Sequence, residues 1–154
     1  MIHRDIDLLI AEDNPADAEL ILESLQGRFA ERVRIAADGV EALDVLLCRG
    51  SFAYRSFEAP PRLVIPDVKL PKLDGLEVLR TMKEDERTRP IPVVMLTSSK
   101  IDQDISSAYR WGANSYVQKP VEFERFRDAV QSVGRYWLTL NESPPPQSFQ
   151  VERR

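Results

Sequence analysis

The chain has one cysteine, one histidine and no long apolar run. It also has no block of basic residues outside its last two positions. Each absence closes off a class of function. Cys48 alone cannot form an internal disulfide, and it falls on the apolar side of a predicted helix, where a small buried residue is the ordinary outcome and a reactive thiol the exception. His3 sits in a charged terminus and takes no role. The 21 bases are interspersed among 25 acids for a net charge of -4, so apart from Arg153-Arg154 there is no electrostatic footprint for nucleic acid. The run Lys83 to Arg87, of both signs, reads as a solvated helix end. No apolar stretch approaches the ~18 residues of a membrane span, and Met1-Ile2-His3-Arg4-Asp5 is too charged for a secretion signal. The expectation is a cytoplasmic protein with neither membrane nor nucleic acid as partner.

What the chain does have is a regular alternation. Its 154 residues, 43% hydrophobic, suffice for one full core and not for two domains of usual size. Ile6 to Ala11 reads as a buried strand ending on Glu12-Asp13-Asn14, with Asn14 capping a helix that Pro15 opens. Val33 to Ala36 is a second strand, and Asp38 caps a helix to about Arg49. Periodicity fails from Gly50 to Pro61, a loop. Leu63 onward is a buried strand ending on Asp67, followed by a helix from about Gly75 to Asp85. Ile91 to Leu96 ends on Thr97-Ser98-Ser99, and a helix from about Asp102 to Trp111 stops at Gly112. Ser115 to Gln118 ends on Lys119-Pro120, and a last helix runs from near Glu122 to about Leu140. Five strands alternating with five helices make an α/β single-domain fold with a doubly wound parallel sheet. In the flavodoxin-like strand order 2-1-3-4-5, ligands bind outside the carboxyl ends of the strands.

The tips then bring together Glu12 and Asp13, Asp67, Thr97 and Lys119. Clustered carboxylates repel unless a cation sits among them. Magnesium, which takes oxygen ligands and keeps several waters, suits a shallow site with two carboxylates. With that ion bound, Asp67 can act as a nucleophile toward phosphorus, Lys119 can neutralise one phosphoryl oxygen, and the Thr97 hydroxyl can hydrogen-bond another. Taken singly, each residue has a plainer role: Asp67 as a turn cap, Lys119 as a surface lysine, Thr97 as a helix cap. Two other functions use similar parts. A phosphohydrolase with an aspartyl nucleophile wants a second Asp two residues on, where Lys69 stands. A flavin site wants a phosphate-cradling loop where the first strand instead ends on acids.

The order Glu12-Asp13, Asp67, Thr97, Lys119-Pro120 resembles the receiver domain of two-component response regulators over roughly residues 6 to 138. The resemblance implies a phosphoacceptor signalling protein, not a turnover enzyme, in which Asp67 takes a phosphoryl group from a histidine kinase. It implies Asp13, Asp67 and the Lys69 backbone carbonyl as magnesium ligands, Glu12 acting through water, and a switch made by Thr97 and Tyr116, with small Ser98 beside the pocket. The stretches AEDNPADAEL, DVKLPKLDGLEVLR, GANSYVQKPVEF and YWLTLNESPP are similar to small receivers that partner bacterial and cyanobacterial phytochrome kinases and lack an attached output domain. This implies a phytochrome as the kinase and a homodimer. Residues 1–140 would be the receiver domain and 141–154 a proline-rich extension, extended and weakly ordered or crossing to a second subunit.

Pro66 departs from the family pattern, because proline cannot donate to a sheet ladder. Either one rung is lost at about 1 kcal/mol, or the strand tip shifts, phosphorylation is impaired, and the chain is a degenerate receiver acting as a constitutive dimeric binding module. In the last helix, apolar residues at three- and four-residue steps continue past the length that covers a five-stranded sheet. Trp111, Phe126, Val133, Tyr136, Trp137 and Leu140 are accordingly the expected dimer interface.

Overall fold

The computed structural model describes residues 5–151, so His3 and Arg153-Arg154 lie outside the described residues. In chain order the elements are β1 (Leu8–Ala11), α1 (Pro15–Leu25), β2 (Val33–Ala36), α2 (Gly39–Leu46), β3 (Leu63–Pro66) and α3 (Gly75–Glu84). They continue with β4 (Val94–Thr97), α4 (Asp102–Arg110), β5 (Ser115–Gln118) and α5 (Phe123–Arg135). All strand pairs are parallel. The strands β1, β3 and β4 are buried at every position and read as unbroken apolar runs, whereas β2 and β5 are partly exposed edges.

Side chains of successive strand residues point to opposite faces, and two cores follow. Leu9, Ala11, Val64 and Met95 pack with residues of α2, α3 and α4. Leu8, Ile10, Ile65 and Leu96 pack with residues of α1 and α5. On the second face α5 approaches α1 closely at Gly134, where a Cβ would stand 2.3 Å from Leu25 Cδ2. Helix starts are set by side chains: Asn14, Asp38 and Asp74 accept the N–H of Asp17, Glu41 and Glu77. No helix among the described residues is long and apolar enough to cross a membrane.

The sheet follows the order 2-1-3-4-5 with one seam. β2, β1 and β3 form one ladder and β4 with β5 another, joined by an isolated bridge between Val64 and Val93. On that side of β3 the Val64 N–H donates to Pro92 O at 3.0 Å. Alternate residues of a strand face the same neighbour, so the next rung toward β4 would need an N–H at residue 66, and Pro66 has none. The neighbouring N–H, that of Asp67, faces the other way and is bonded to Ala11 O at 2.9 Å.

Three segments differ from expectation. α2 ends at Leu46, three residues short of Arg49, because Cys48 takes a left-handed conformation (φ 53°) that no helix continues. Cys48 is thus half-buried just beyond the helix, with burial pushing its thiol pKa up. α5 stops at Arg135 and passes into a wider π turn, Tyr136–Leu140, whose Leu138 carbonyl accepts from the Arg62 guanidinium. Among the described residues of the C-terminal segment, Pro146–Phe149 forms a 3-10 turn rather than an extended run, and Phe149, 5% exposed, joins the core of its own chain. Proline-rich sequence hid this because one large aromatic is enough to anchor a short tail.

Candidate functional site

The site is organised by one ammonium group. Lys119 follows β5, with its backbone N–H bonded to Thr97 O at 2.7 Å, so its side chain leaves the sheet beside the tips of β1 and β3. Its Nζ donates to Glu12 Oε2 at 2.6 Å, Asp67 Oδ2 at 2.7 Å and Asp17 Oδ2 at 2.9 Å. An ammonium has three donors, and all three are in use. The Lys119 side chain is 5% exposed. Burial disfavours its charge, but the hydrogen bonds to Asp67, Glu12 and Asp17 outweigh that and hold its pKa above the ordinary value.

Three carboxylates against one ammonium leave an excess of negative charge. Burial pushes the Glu12 pKa up to about 7, with the Lys119 hydrogen bond opposing and the Asp67 charge adding to the rise. As pH rises from about 4.5, the unfolded chain therefore loses this proton first while the folded chain keeps it, up to about 7. Stability from this group is full below the lower value and is lost through the upper one. In chelator, the melting temperature of the wild type is expected to fall more steeply between pH 5 and 7.5 than that of Glu12→Gln. Parallel curves would show that Glu12 does not carry the charge strain.

The loop after β3 holds Asp67 in place. Asp67 Oδ1 accepts from the Lys69 N–H at 3.2 Å, and the Gly75 N–H donates to Val68 O at 2.7 Å. A Cβ at Gly75 would lie 1.7 Å from Asp67 O, so the loop closes only over glycine. Asp67 and Thr97 line one open cleft of about 340 Å³ with Lys69, Ser98, Ser99, Lys100 and Ile101. Thr97 Oγ1 accepts from the Ser99 N–H at 3.3 Å, and Tyr116 Oη donates to Ser99 O at 2.8 Å. The two residues expected to form a switch thus meet at Ser99.

Asp13 lies exposed at the tip of β1 and is not one of the three acids that Lys119 Nζ bonds. Among the described residues no three His, Cys, Asp or Glu side chains stand close enough to hold a metal. The expected set of Asp13, Asp67, the Lys69 carbonyl and a water on Glu12 asks for only two direct carboxylates, which is what magnesium commonly takes. Its oxygen donors, and three carboxylates set against one ammonium, fit such an ion.

Asp17 was not among the expected site residues. An acid in the first turn of a helix is favoured by the helix dipole alone, so its position carried no distinct signal. Of the expected dimer residues, Phe126 is 5% exposed and packed in the α1/α5 core, so it cannot face a partner. Trp111, Val133 and Trp137 are half-buried, with Trp111 under the Arg80 guanidinium at 5.5 Å. Tyr136 and Leu140 are 51% and 68% exposed.

Residues 8–131 match the family described as response regulator receiver domain. The chain is 43% identical over 140 residues, 90% of its length and 88% of the relative's, to the probable methanogenesis regulatory protein FilR2 of Methanothrix harundinacea. The crystal structure of the Mn(2+)-bound form of response regulator Rcp1 superposes with TM-score 0.83 at 30% identity, covering 92% of this chain and 99% of that one. The phosphorylated cyanobacterial phytochrome response regulator RcpA superposes with TM-score 0.84 at 33% identity, with the same coverage of 92% and 99%.

Proposed function

The chain belongs to the response regulator receiver domain family, and on that premise we propose that it accepts a phosphoryl group from a histidine kinase on Asp67. One observation carries this reading: a buried ammonium, Lys119 Nζ, stands 2.7 Å from an Asp67 carboxylate that lines an open cleft. In the transfer an Asp67 oxygen attacks phosphorus, the oxygen–phosphorus bond forms, and the phosphorus–nitrogen bond to the kinase histidine breaks, so that the imidazole leaves with the bonding pair. Lys119 meets the charge on one phosphoryl oxygen, and the Thr97 hydroxyl donates to another. Asp13, Asp67 and the Lys69 carbonyl, with Glu12 through a water, would hold magnesium, which would supply the remaining charge neutralisation. Each protein molecule takes up one group on itself and turns nothing over.

The readout is a switch in which Thr97 draws toward the phosphoryl group and Tyr116, tied to Ser99, follows. The kinase is a phytochrome, a reading supported by the likeness to RcpA, and the protein works beside it in the cytoplasm. Residues 1–140 act as the receiver and 141–154 as an extension docked through Phe149. A homodimer forms through the exposed Tyr136 and Leu140 with Val133, Trp137 and Trp111 at its margin.

The missing rung at Pro66 favours a second reading, a degenerate receiver that serves as a constitutive dimeric binding module. Against it, the lost N–H faces β4, while the N–H of Asp67 keeps its bond to β1. Incubation with a small phosphodonor and magnesium is expected to put one acid-labile phosphate on the wild type and none on Asp67→Asn, measured by intact mass. Pro66→Leu is expected to react within about twofold of the wild-type rate. No phosphate on the wild type, with uptake by Pro66→Leu, would establish the second reading instead.

A further inference from the structure

Asp17 touches Lys119 from the α1 side. With Lys119 it lines an open cleft of about 460 Å³ between the starts of α1 and α5, which meets the cleft of Asp67 and Thr97 at Ser98 and Lys100. Its carboxylate oxygen is 2.9 Å from Lys119 Nζ, and its side chain is 30% exposed, against 2% for Glu12. Asp17 is itself fixed in place. It stands in the first turn of α1, its N–H held by Asn14 Oδ1 at 3.1 Å, while the Asn14 N–H donates to Glu12 Oε1 at 3.1 Å.

We propose that Asp17 is a positioning residue for phosphoryl transfer, acting through Lys119. The ammonium is tetrahedral, so holding two of its N–H bonds fixes the direction of the third. Glu12 and Asp17 take two of them from β1 and α1. The third is thereby aimed at Asp67 Oδ2, the place where a phosphoryl oxygen arrives once Asp67 is esterified. Exchange of that carboxylate oxygen for a phosphoryl oxygen needs no change in the other two bonds. Without Asp17 the long lysine side chain is held by Glu12 alone on that flank, and its donor is no longer confined to one direction. Preorganised donors are worth most when they need no reorganisation at the moment of reaction. The role requires an acceptor at this position and not a charge, which separates it from a generic effect of one acid near a lysine.

This inference rests on the phosphoacceptor reading, and its test keeps the two apart. Phosphorylation by a small phosphodonor with magnesium is followed for wild type, Asp17→Ala, Asp17→Asn and Asp67→Asn. Thermal melts are recorded beside each. Asp17→Ala is expected to take up phosphate about tenfold more slowly than wild type, and Asp17→Asn, which keeps the acceptor oxygen, within about twofold of it. Both Asp17 variants should melt well above the assay temperature, so that the rates are those of folded protein. Equal rates for Asp17→Ala and wild type overturn the proposal, as does an Asp17→Asn as slow as Asp17→Ala. A wild type that takes up no phosphate defeats the phosphoacceptor reading itself.

Discussion

Lys119→Met is expected to slow phosphoryl uptake by Asp67 a hundredfold or more, the scale on which removal of a preorganised charge donor acts. The substitution keeps much of the apolar stem and removes the ammonium that three carboxylates share. Breaking a buried ion pair from one side costs about 3–5 kcal/mol because the remaining charge is left without a partner. Here Glu12 has a way out, since its pKa already lies near 7 and loss of Lys119 removes the main interaction that holds it down. The variant should therefore fold at neutral pH with Glu12 protonated, and its melting temperature should recover on adding magnesium more than that of the wild type does. Stopped-time phosphorylation read by intact mass, with melts in magnesium and in chelator, checks both halves. A rate within threefold of wild type would remove Lys119 from the chemistry.

Gly75→Ala is expected to abolish phosphorylation and to destabilise the fold by about 3 kcal/mol, the upper range for overpacking. A Cβ there lies 1.7 Å from the Asp67 carbonyl oxygen and 2.7 Å from its carbonyl carbon. Neither is the end of a flexible side chain, so the backbone of Asp67 itself must move. Gly112→Ala is the useful contrast. Its Cβ would meet Lys83 Cγ at 3.1 Å, and its φ of +104° adds strain, but both effects fall well away from Asp67. That variant should lose stability and keep its rate. Denaturant unfolding and phosphorylation of the two together distinguish a site effect from a stability effect, and a Gly75→Ala that reacts normally would mean the loop is not what holds Asp67.

The strand tips were legible in the sequence because buried parallel strands read as apolar runs and each ended on a chemically distinct residue. Glu12, Asp67, Thr97 and Lys119 could be named from that pattern. Helix starts were legible through Asn14 and Asp38, whose side chains satisfy backbone donors locally. Ends were less so. Nothing near Cys48 announces its left-handed turn, and nothing in Tyr136–Leu140 announces a π turn, since both depend on what packs there. Asp17 was invisible for another reason: its partner is 102 residues away, and helix-start acids are common. Phe126 was misread because periodicity identifies an apolar face without saying what covers it, and here α1 does.

The seam at Pro66 divides the residues of the site between two plates. Glu12 and Asp67 belong to the ladder of β1, β2 and β3, and Thr97 and Lys119 to that of β4 and β5. Along the line where the plates meet there is one bridge in place of a ladder, so few backbone hydrogen bonds resist a small slide, and the bonds of Lys119 to Glu12 and Asp67 become a main tie between the plates. Ligation of a new group between them can then be felt at the far edge of the sheet as a rigid tilt, with proline serving as the crease.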